Sequence, residues 1–304
     1  MREEMVDFTR RVIIYQYSLP CAEHGLPCTT VSNLEDLCYS HSSDADVAAL
    51  IYNNIIEYAK NEFEIDYDDI DTEFLDALNY NIRFDDDDDM KTKRKYGFFG
   101  EVLFYSILYA HLRANVFISK GYFYSPLERS EPKGYDSYHL VQTQDEVELW
   151  FGEAKFRVDY TSCIDSVFDN LLKALEEKYF KRNILAIVKE REHITEGQGV
   201  VDRLQPIIDR WIQKINFNIS DELRELGISL VYPILIAFQQ EPNQDYRSAI
   251  SCCIDRIEQI IVARNINIPP DLNAKLFFIF MPVSDVRLIK ESVLQWISER
   301  RPLM

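Results

Sequence analysis

The sequence predicts a mixed α/β (α+β) fold in which a central mixed sheet is flanked by helices. Three observations point there. Val147, Leu149 and Phe151 alternate with Glu148, Trp150 and Gly152, the two-residue period of a strand, and Asp136 to Val141 is a second β-rich run just upstream. The stretch after Tyr96 is apolar on most sides, the mark of a buried helix. Further on, strand, helix, strand and helix follow in turn, an order that lays helices against a sheet. With 304 residues, 47% of them hydrophobic, the chain can bury a substantial core.

The elements are justified in order. Residues 7 to 18, DFTRRVIIYQYS, alternate weakly and predict a strand. Residues 20 to 42 read as irregular, punctuated by Pro20, Gly25 and Pro27. Ser43 and Asp46 stand at capping-box spacing. They open a helix expected from Asp44 to Phe63, with Val47, Leu50, Ile51, Ile55 and Tyr58 at helical spacing. Thr72 to Tyr80 reads as a short helix. Asp85 to Asp89 is a run of like charges, which repel and stay extended as a solvated linker. The alternative is a pseudo-substrate lying in a nucleic-acid groove. Lys91, Lys93, Arg94 and Lys95 follow it. The chain thus divides into a mostly helical segment, 1–90, ending in the acidic linker, and a second part, 91–304.

In the second part the apolar helix spans about Tyr96 to Ala114, and Val116 to Phe123 reads as the first strand of a meander. Ser125 to Lys133 is a loop leading to the hairpin. Asp165 to Phe180 is an amphipathic helix, and Asn183 to Val188 reads equally as strand or helix. Gly197 and Gly199 break the chain before a helix at Val201 to Ile215. Ile228 to Phe238 is a strand interrupted by Pro233, Ser248 to Ala263 a helix, and Lys275 to Met281 a short buried strand. Ser284 caps a final helix ending about Arg300.

Thr143 to Glu146 join the two runs of the hairpin. They lack an Asn-Gly or Asp-Gly signal and predict a four-residue loop. Pairing Gln142 with Val147 then sets Leu140 opposite Leu149, Tyr138 opposite Phe151 and Asp136 opposite Glu153. Opposed residues of an antiparallel pair share a face, with Cβ atoms roughly 4.5–5.5 Å apart. Lys155, two residues past Glu153, shares that face. Two carboxylates so close repel unless a cation lies between them.

Asp, Glu and Lys meeting at one point are the parts of a divalent-metal hydrolase. Asp136 and Glu153, joined by the Ala154 carbonyl, would hold Mg²⁺ (or Mn²⁺), which prefers oxygen ligands. The ion would polarise a phosphate oxygen. Lys155 would position the attacking water or stabilise charge developing on phosphorus. The Glu-x-Lys triplet alone is unspecific, since Glu176 and Lys178 make another in a helical context. Glu101 is the lone acid in the first turns of the apolar helix. Its ordinary role is to face the helix dipole, but a buried carboxylate is costly without a cation or metal. Glu101 therefore joins the candidate site as an auxiliary acid, for a second metal or a water.

GFFGEVLFYSILY, GYDSYHL and ELWFGEAKF, in that order, resemble the PD-(D/E)xK, restriction-endonuclease-like nuclease core. In detail they resemble the HamA subunit of Hachiman anti-phage defence systems and its Abp-type relatives. The likeness covers Tyr96 to Phe156 closely and the rest by element order. It implies a nuclease domain over 91–304 with an N-terminal extension. It further implies a Mg²⁺-dependent deoxyribonuclease that acts on DNA as an effector subunit, in a heteromeric complex with a superfamily-2 helicase (HamB-like). The motif falls on Asp136, Glu153 and Lys155, with Glu101 as the helix acid before it. Gly134-Tyr135 precedes Asp136 where the name-giving Pro would stand.

The formal net charge is −18, which argues against gripping nucleic acid alone, because phosphate contacts need Lys and Arg. Residues 61 to 90 hold thirteen acids and one base, Arg83, so this segment is −12 and the rest −6. A partner is expected to supply much of the DNA affinity. Cys252 and Cys253 are adjacent and suit no disulfide framework, so the six cysteines predict reduced thiols and a cytoplasmic location. Cys21, His24, Cys28 and Cys38 match no common zinc spacing and read as loop and core thiols, zinc being the alternative. No apolar run reaches the roughly 18 residues of a membrane span, and MREEMVDFTRR is too charged for a secretory signal. There is no Walker A loop, GxSxG or HExxH. His139 lies one residue off the catalytic face and reads as packing. Two rivals stand beside the nuclease: a catalytically silent adaptor that docks the helicase, and an acidic DNA mimic or inhibitor. The full set of Glu101, Asp136, Glu153 and Lys155 argues against the first. The confinement of the acids to one segment argues against the second.

Overall fold

Seven strands form one mixed sheet, curled as a half-barrel and flanked by helices. The computed structural model describes residues 1–19, 32, 34–126, 128, 134–142, 147–174, 176–194, 209–210, 219–265 and 274–304. The strands are β1 (Ile13–Leu19), β2 (Asp36–His41), β3 (Asn115–Val116), β4 (Ser137–Gln142), β5 (Val147–Arg157), β6 (Ile228–Gln239) and β7 (Ala274–Val283), in the order β1-β2-β7-β6-β5-β4-β3. β2, β7, β6 and β5 run parallel, and antiparallel pairs close each side.

Parallel strands covered on both faces read as continuous apolar runs, and β6 shows why. Leu230, Tyr232, Ile234 and Ile236 enter one core, while Val231, Leu235 and Ala237 enter the other. The first core is closed by α7 (Tyr160–Ala174), α8 (Glu177–Lys189), α9 (Ile219–Glu225) and α10 (Tyr246–Arg264). The second is closed by α1 (Glu3–Val12), α2 (Asp44–Asn53), α3 (Ile55–Ala59), α4 (Ile70–Asp76), α6 (Phe98–Leu112) and α11 (Val286–Glu299). A single turn, α5 (Met90–Lys93), precedes α6. Residues 1–90 thus supply two strands to the same sheet as residues 91–304. The break at residue 90 follows the acidic run, not a gap in the sheet.

Several elements differ from expectation. Residues 7 to 18 are helical through Val12 before the strand begins. Met5, Thr9 and Val12 bury one helical face, with Glu3 and Glu4 in the first turn and Arg10 and Arg11 in the last, the favourable order for the helix dipole. β2 lies in the stretch read as irregular; its pairing with β1 and β7, remote in sequence from one another, makes it a strand. The Asp44–Phe63 helix breaks at Asn54, whose side-chain amide donates to Ser106 Oγ at 2.9 Å. The Ser43 cap is present, accepting from the Asp46 N–H at 3.1 Å. Thr72 to Tyr80 is the end of α4 continued as a π-turn, Ala77–Asn81.

Val116 to Phe123 is strand only at its start and then a 3₁₀ turn, Lys120–Phe123. Gly121 backs directly onto the Ala59 carbonyl, a tertiary contact that local pattern does not carry. Asp165 to Phe180 is divided between α7 and α8, and Asn183 to Val188 is helix. Asp285 caps the last helix in place of Ser284. The 143–146 loop, most of the 125–133 loop, Gly197, Gly199 and most of 201–215 lie outside the described residues.

The acidic run is held at its far end. Asp88 accepts from the Tyr96 hydroxyl at 2.5 Å, and Asp89 caps α5 by accepting from the Thr92 N–H at 2.7 Å. Among the described residues no helix is long and apolar enough to cross a membrane.

Candidate active site

The hairpin has the expected register: Gln142 pairs with Val147, Leu140 with Leu149 and Tyr138 with Phe151, and the ladder ends at Ser137 with Gly152. One residue before β4, Asp136 continues it. Its N–H donates to the Gly152 carbonyl at 2.9 Å, and its Oδ2 accepts from the Ala154 N–H at 2.9 Å. A side chain thus replaces the next backbone rung and fixes the carboxylate beside β5.

Glu153 is 7% exposed. Its Oε2 accepts from the Tyr232 hydroxyl at 2.8 Å, and its Oε1 meets Lys155 Nζ at 2.6 Å and Asn170 Nδ2 at 3.3 Å. Burial pushes its pKa up, and the neighbouring Asp136 adds to this, against the opposing pull of Lys155. For Lys155 burial acts downward, but Asp136 and Glu153 outweigh it and hold the ammonium charged, with a raised pKa.

Three oxygens surround that ammonium: Glu153 Oε1 at 2.6 Å, the Ala154 carbonyl at 3.1 Å and Asp136 Oδ2 at 3.9 Å. These are the oxygens expected to ligate a metal, and a protein cation stands among them. The donor set, two carboxylates and a carbonyl, is all hard oxygen. It fits Mg²⁺ or Mn²⁺, which accept few protein ligands and keep several waters. Among the described residues no three His, Cys, Asp or Glu side chains cluster for metal binding, so the carbonyl is needed to complete the set.

Glu101 comes from another element than the hairpin. It is buried on α6 and accepts from the Tyr58 hydroxyl. It does line the same cavity of about 790 Å³ as Asp136, Ala154 and Lys155. A smaller cavity of about 290 Å³ reaches Asp136, Glu153 and Lys155 from the side of Asn170 and Tyr232. None of Asp85 to Asp89 lines either cavity, so the acidic run lies outside the site.

His139 is buried packing, as expected. Its Nδ1 lies 2.8 Å from the Ala114 carbonyl, and burial pulls its pKa down to about 4. Cys38 is a buried thiol on β2, pushed up to about 12 by burial, while Cys21, His24 and Cys28 lie outside the described residues.

Sequence reasoning missed Tyr232, Asn170 and Tyr58. The first carried a signal: a tyrosine within the apolar run ISLVYPILIAF needs a partner for its hydroxyl when buried.

A search of curated proteins gave no match. A family model described as HamA matches residues 12–297, nearly the whole chain. The hairpin that carries Asp136, Glu153 and Lys155 lies within that span, and the chain belongs to the HamA family, the Hachiman anti-phage defence subunit.

Proposed function

We propose that the chain is a metal-dependent DNA nuclease of the PD-(D/E)xK type, the effector of a Hachiman system that works with a superfamily-2 helicase subunit. One observation carries this reading: Glu153 Oε1, Asp136 Oδ2 and the Ala154 carbonyl converge on a single cation, the Lys155 ammonium. A bound Mg²⁺ or Mn²⁺ would supply Lewis-acid polarisation of a phosphate oxygen and a lowered pKa for water. Asp136 and Glu153, with the Ala154 carbonyl, would hold the ion. Tyr232 and Asn170 fix the Glu153 carboxylate by hydrogen bonds. Lys155 carries a fixed positive charge to where negative charge develops on the phosphate. Glu101, held by Tyr58 at the wall of the larger cavity, would orient water.

The test is plasmid cleavage with Mg²⁺ or Mn²⁺, by the chain alone and with its helicase partner. Lys155→Ala and Glu153→Gln should each lower cleavage by at least about a hundredfold. Glu153→Gln should melt near wild type, while Lys155→Ala should melt lower without metal, because it strips the cation from two close carboxylates, and is compared at a temperature where circular dichroism shows it folded. Cleavage unaffected by either substitution would remove the assignment. A wild type inactive under every condition would favour the silent adaptor.

A further inference from the structure

The larger cavity has a charge opposite to that of the protein. Seven cations and two carboxylates line it, in a chain of net charge −18. Lys290 is the cation that matters most. It lies on α11, is only 8% exposed and has no carboxylate partner among the described residues. Its ammonium donates to the Phe156 carbonyl at 2.9 Å and the Arg94 carbonyl at 3.2 Å, and it lies over the Phe99 and Phe156 rings. An ammonium has three donors. Two are used, and the third has no protein acceptor among the described residues.

A buried cation without an anion is costly. Carbonyls and ring faces compensate only in part, so the site is built for an anion that arrives from outside. At the rim, Lys95 and Arg287 are exposed and, among the described residues, also lack carboxylate partners.

We propose that Lys290, with Lys95 and Arg287, forms a phosphate socket that holds a phosphodiester of the substrate strand beside the one being cut. The identity of the strand rests on the nuclease reading above; the anion chemistry does not. The larger cavity joins both positions, since Asp136, Ala154 and Lys155 line it together with Lys290.

The test uses the full chain in EDTA, so that no cleavage intervenes. Binding of a fluorescently labelled DNA oligonucleotide is followed by anisotropy over a salt series. The variants are Lys290→Met and a Lys95→Glu/Arg287→Glu double, whose exposed positions preserve the fold. Lys189→Glu, 82% exposed and outside both cavities, is the control. Both test variants should bind at least tenfold more weakly, and the double should lower the salt slope by about 2. The control should match wild type. In a second arm, inorganic phosphate should raise the melting temperature of wild type more than that of Lys290→Met. Phosphate protection without Lys290-dependent oligonucleotide binding would overturn the strand assignment.

Wild-type binding that none of the substitutions alters would overturn the socket, as would no binding by wild type at low salt. If Lys290→Met fails to fold, the double variant decides. Loss of binding in the variants, with a wild type that never cleaves, would sink the catalytic reading and leave the socket. Normal cleavage with unaltered binding by the variants would do the reverse.

Discussion

At the scale of single residues, burial decides which charges the fold tolerates. Asp36 on β2 accepts from the Phe278 N–H at 2.7 Å and the Ser32 hydroxyl at 3.0 Å, while its buried Oδ2 has no partner among the described residues. Burial pushes its pKa from 3.8 up to about 7, against the lowering effect of those two hydrogen bonds. The folded state therefore keeps a proton that the unfolded chain releases, and stability falls as pH rises through this window. Asp36→Asn should stabilise the protein at pH 8, by on the order of 2 kcal/mol, and lose that advantage by pH 4. Chemical denaturation at the two pH values checks this, and a gain of equal size at both would contradict it. Asp136, Glu153 and Lys155 were legible in the sequence because one hairpin holds them all and its register follows from alternation. Asn170 and Lys290 were not, because each comes from another element, brought in by sheet order and packing that no local pattern encodes; Tyr232 signalled only that its hydroxyl needs a partner, not which one.

At the scale of elements, the site depends on how tightly β5 is held. Gly152 lies between β6 and α6, where a Cβ would run into the Pro233 carbonyl oxygen and stand 2.6 Å from Phe104 Cζ. Neither a strand backbone nor a packed ring gives way easily. Gly152→Ala should cost about 1–3 kcal/mol, the usual range for overpacking. It should also lower cleavage, because Glu153 is the next residue. Urea unfolding read beside plasmid cleavage tests both, and an unchanged midpoint would show that α6 can yield. The strongly patterned elements, α6, β4, β5, β6 and β7, were readable from sequence. The short ones, β2 and the turn at Lys120–Phe123, exist through partners elsewhere in the chain.

At the scale of the whole molecule, charge is segregated. The acidic segment 61–90 lies outside the cavities of the site, yet Lys91, Arg94 and Lys95, which line the larger one, follow it directly. Asp88 holds Tyr96 and Asp89 caps α5, while Asp85 accepts from the Asp87 N–H at 3.0 Å and Asp86 lies 3.9 Å from Lys93 Nζ; Asp85, Asp86 and Asp87 can be neutralised without losing the α5 cap. Replacing those three with Asn should strengthen DNA binding by the isolated chain several-fold at low salt. The difference should fade toward 1 M salt, where the screening length shrinks to about 3 Å. Anisotropy across a salt series measures it, and an effect independent of salt would rule out long-range repulsion.

The strand order also sets a timetable for synthesis. β2 receives its parallel neighbour only from β7, where Leu37 pairs with Ile279. Contacts between segments so far apart form slowly and late, because the intervening chain must be closed into a loop first. While the ribosome is still making the chain, β1 and β2 wait with an open edge. The wall supplied by α11, with Lys290, is translated after every strand of the sheet. Asp136, Glu153 and Lys155 emerge long before α11, so on the nuclease reading proposed above a chain translated only that far lacks the cavity wall that carries Lys290. On that reading, in a cell that must survive its own defence, the order of translation itself delays cleavage until that wall is in place.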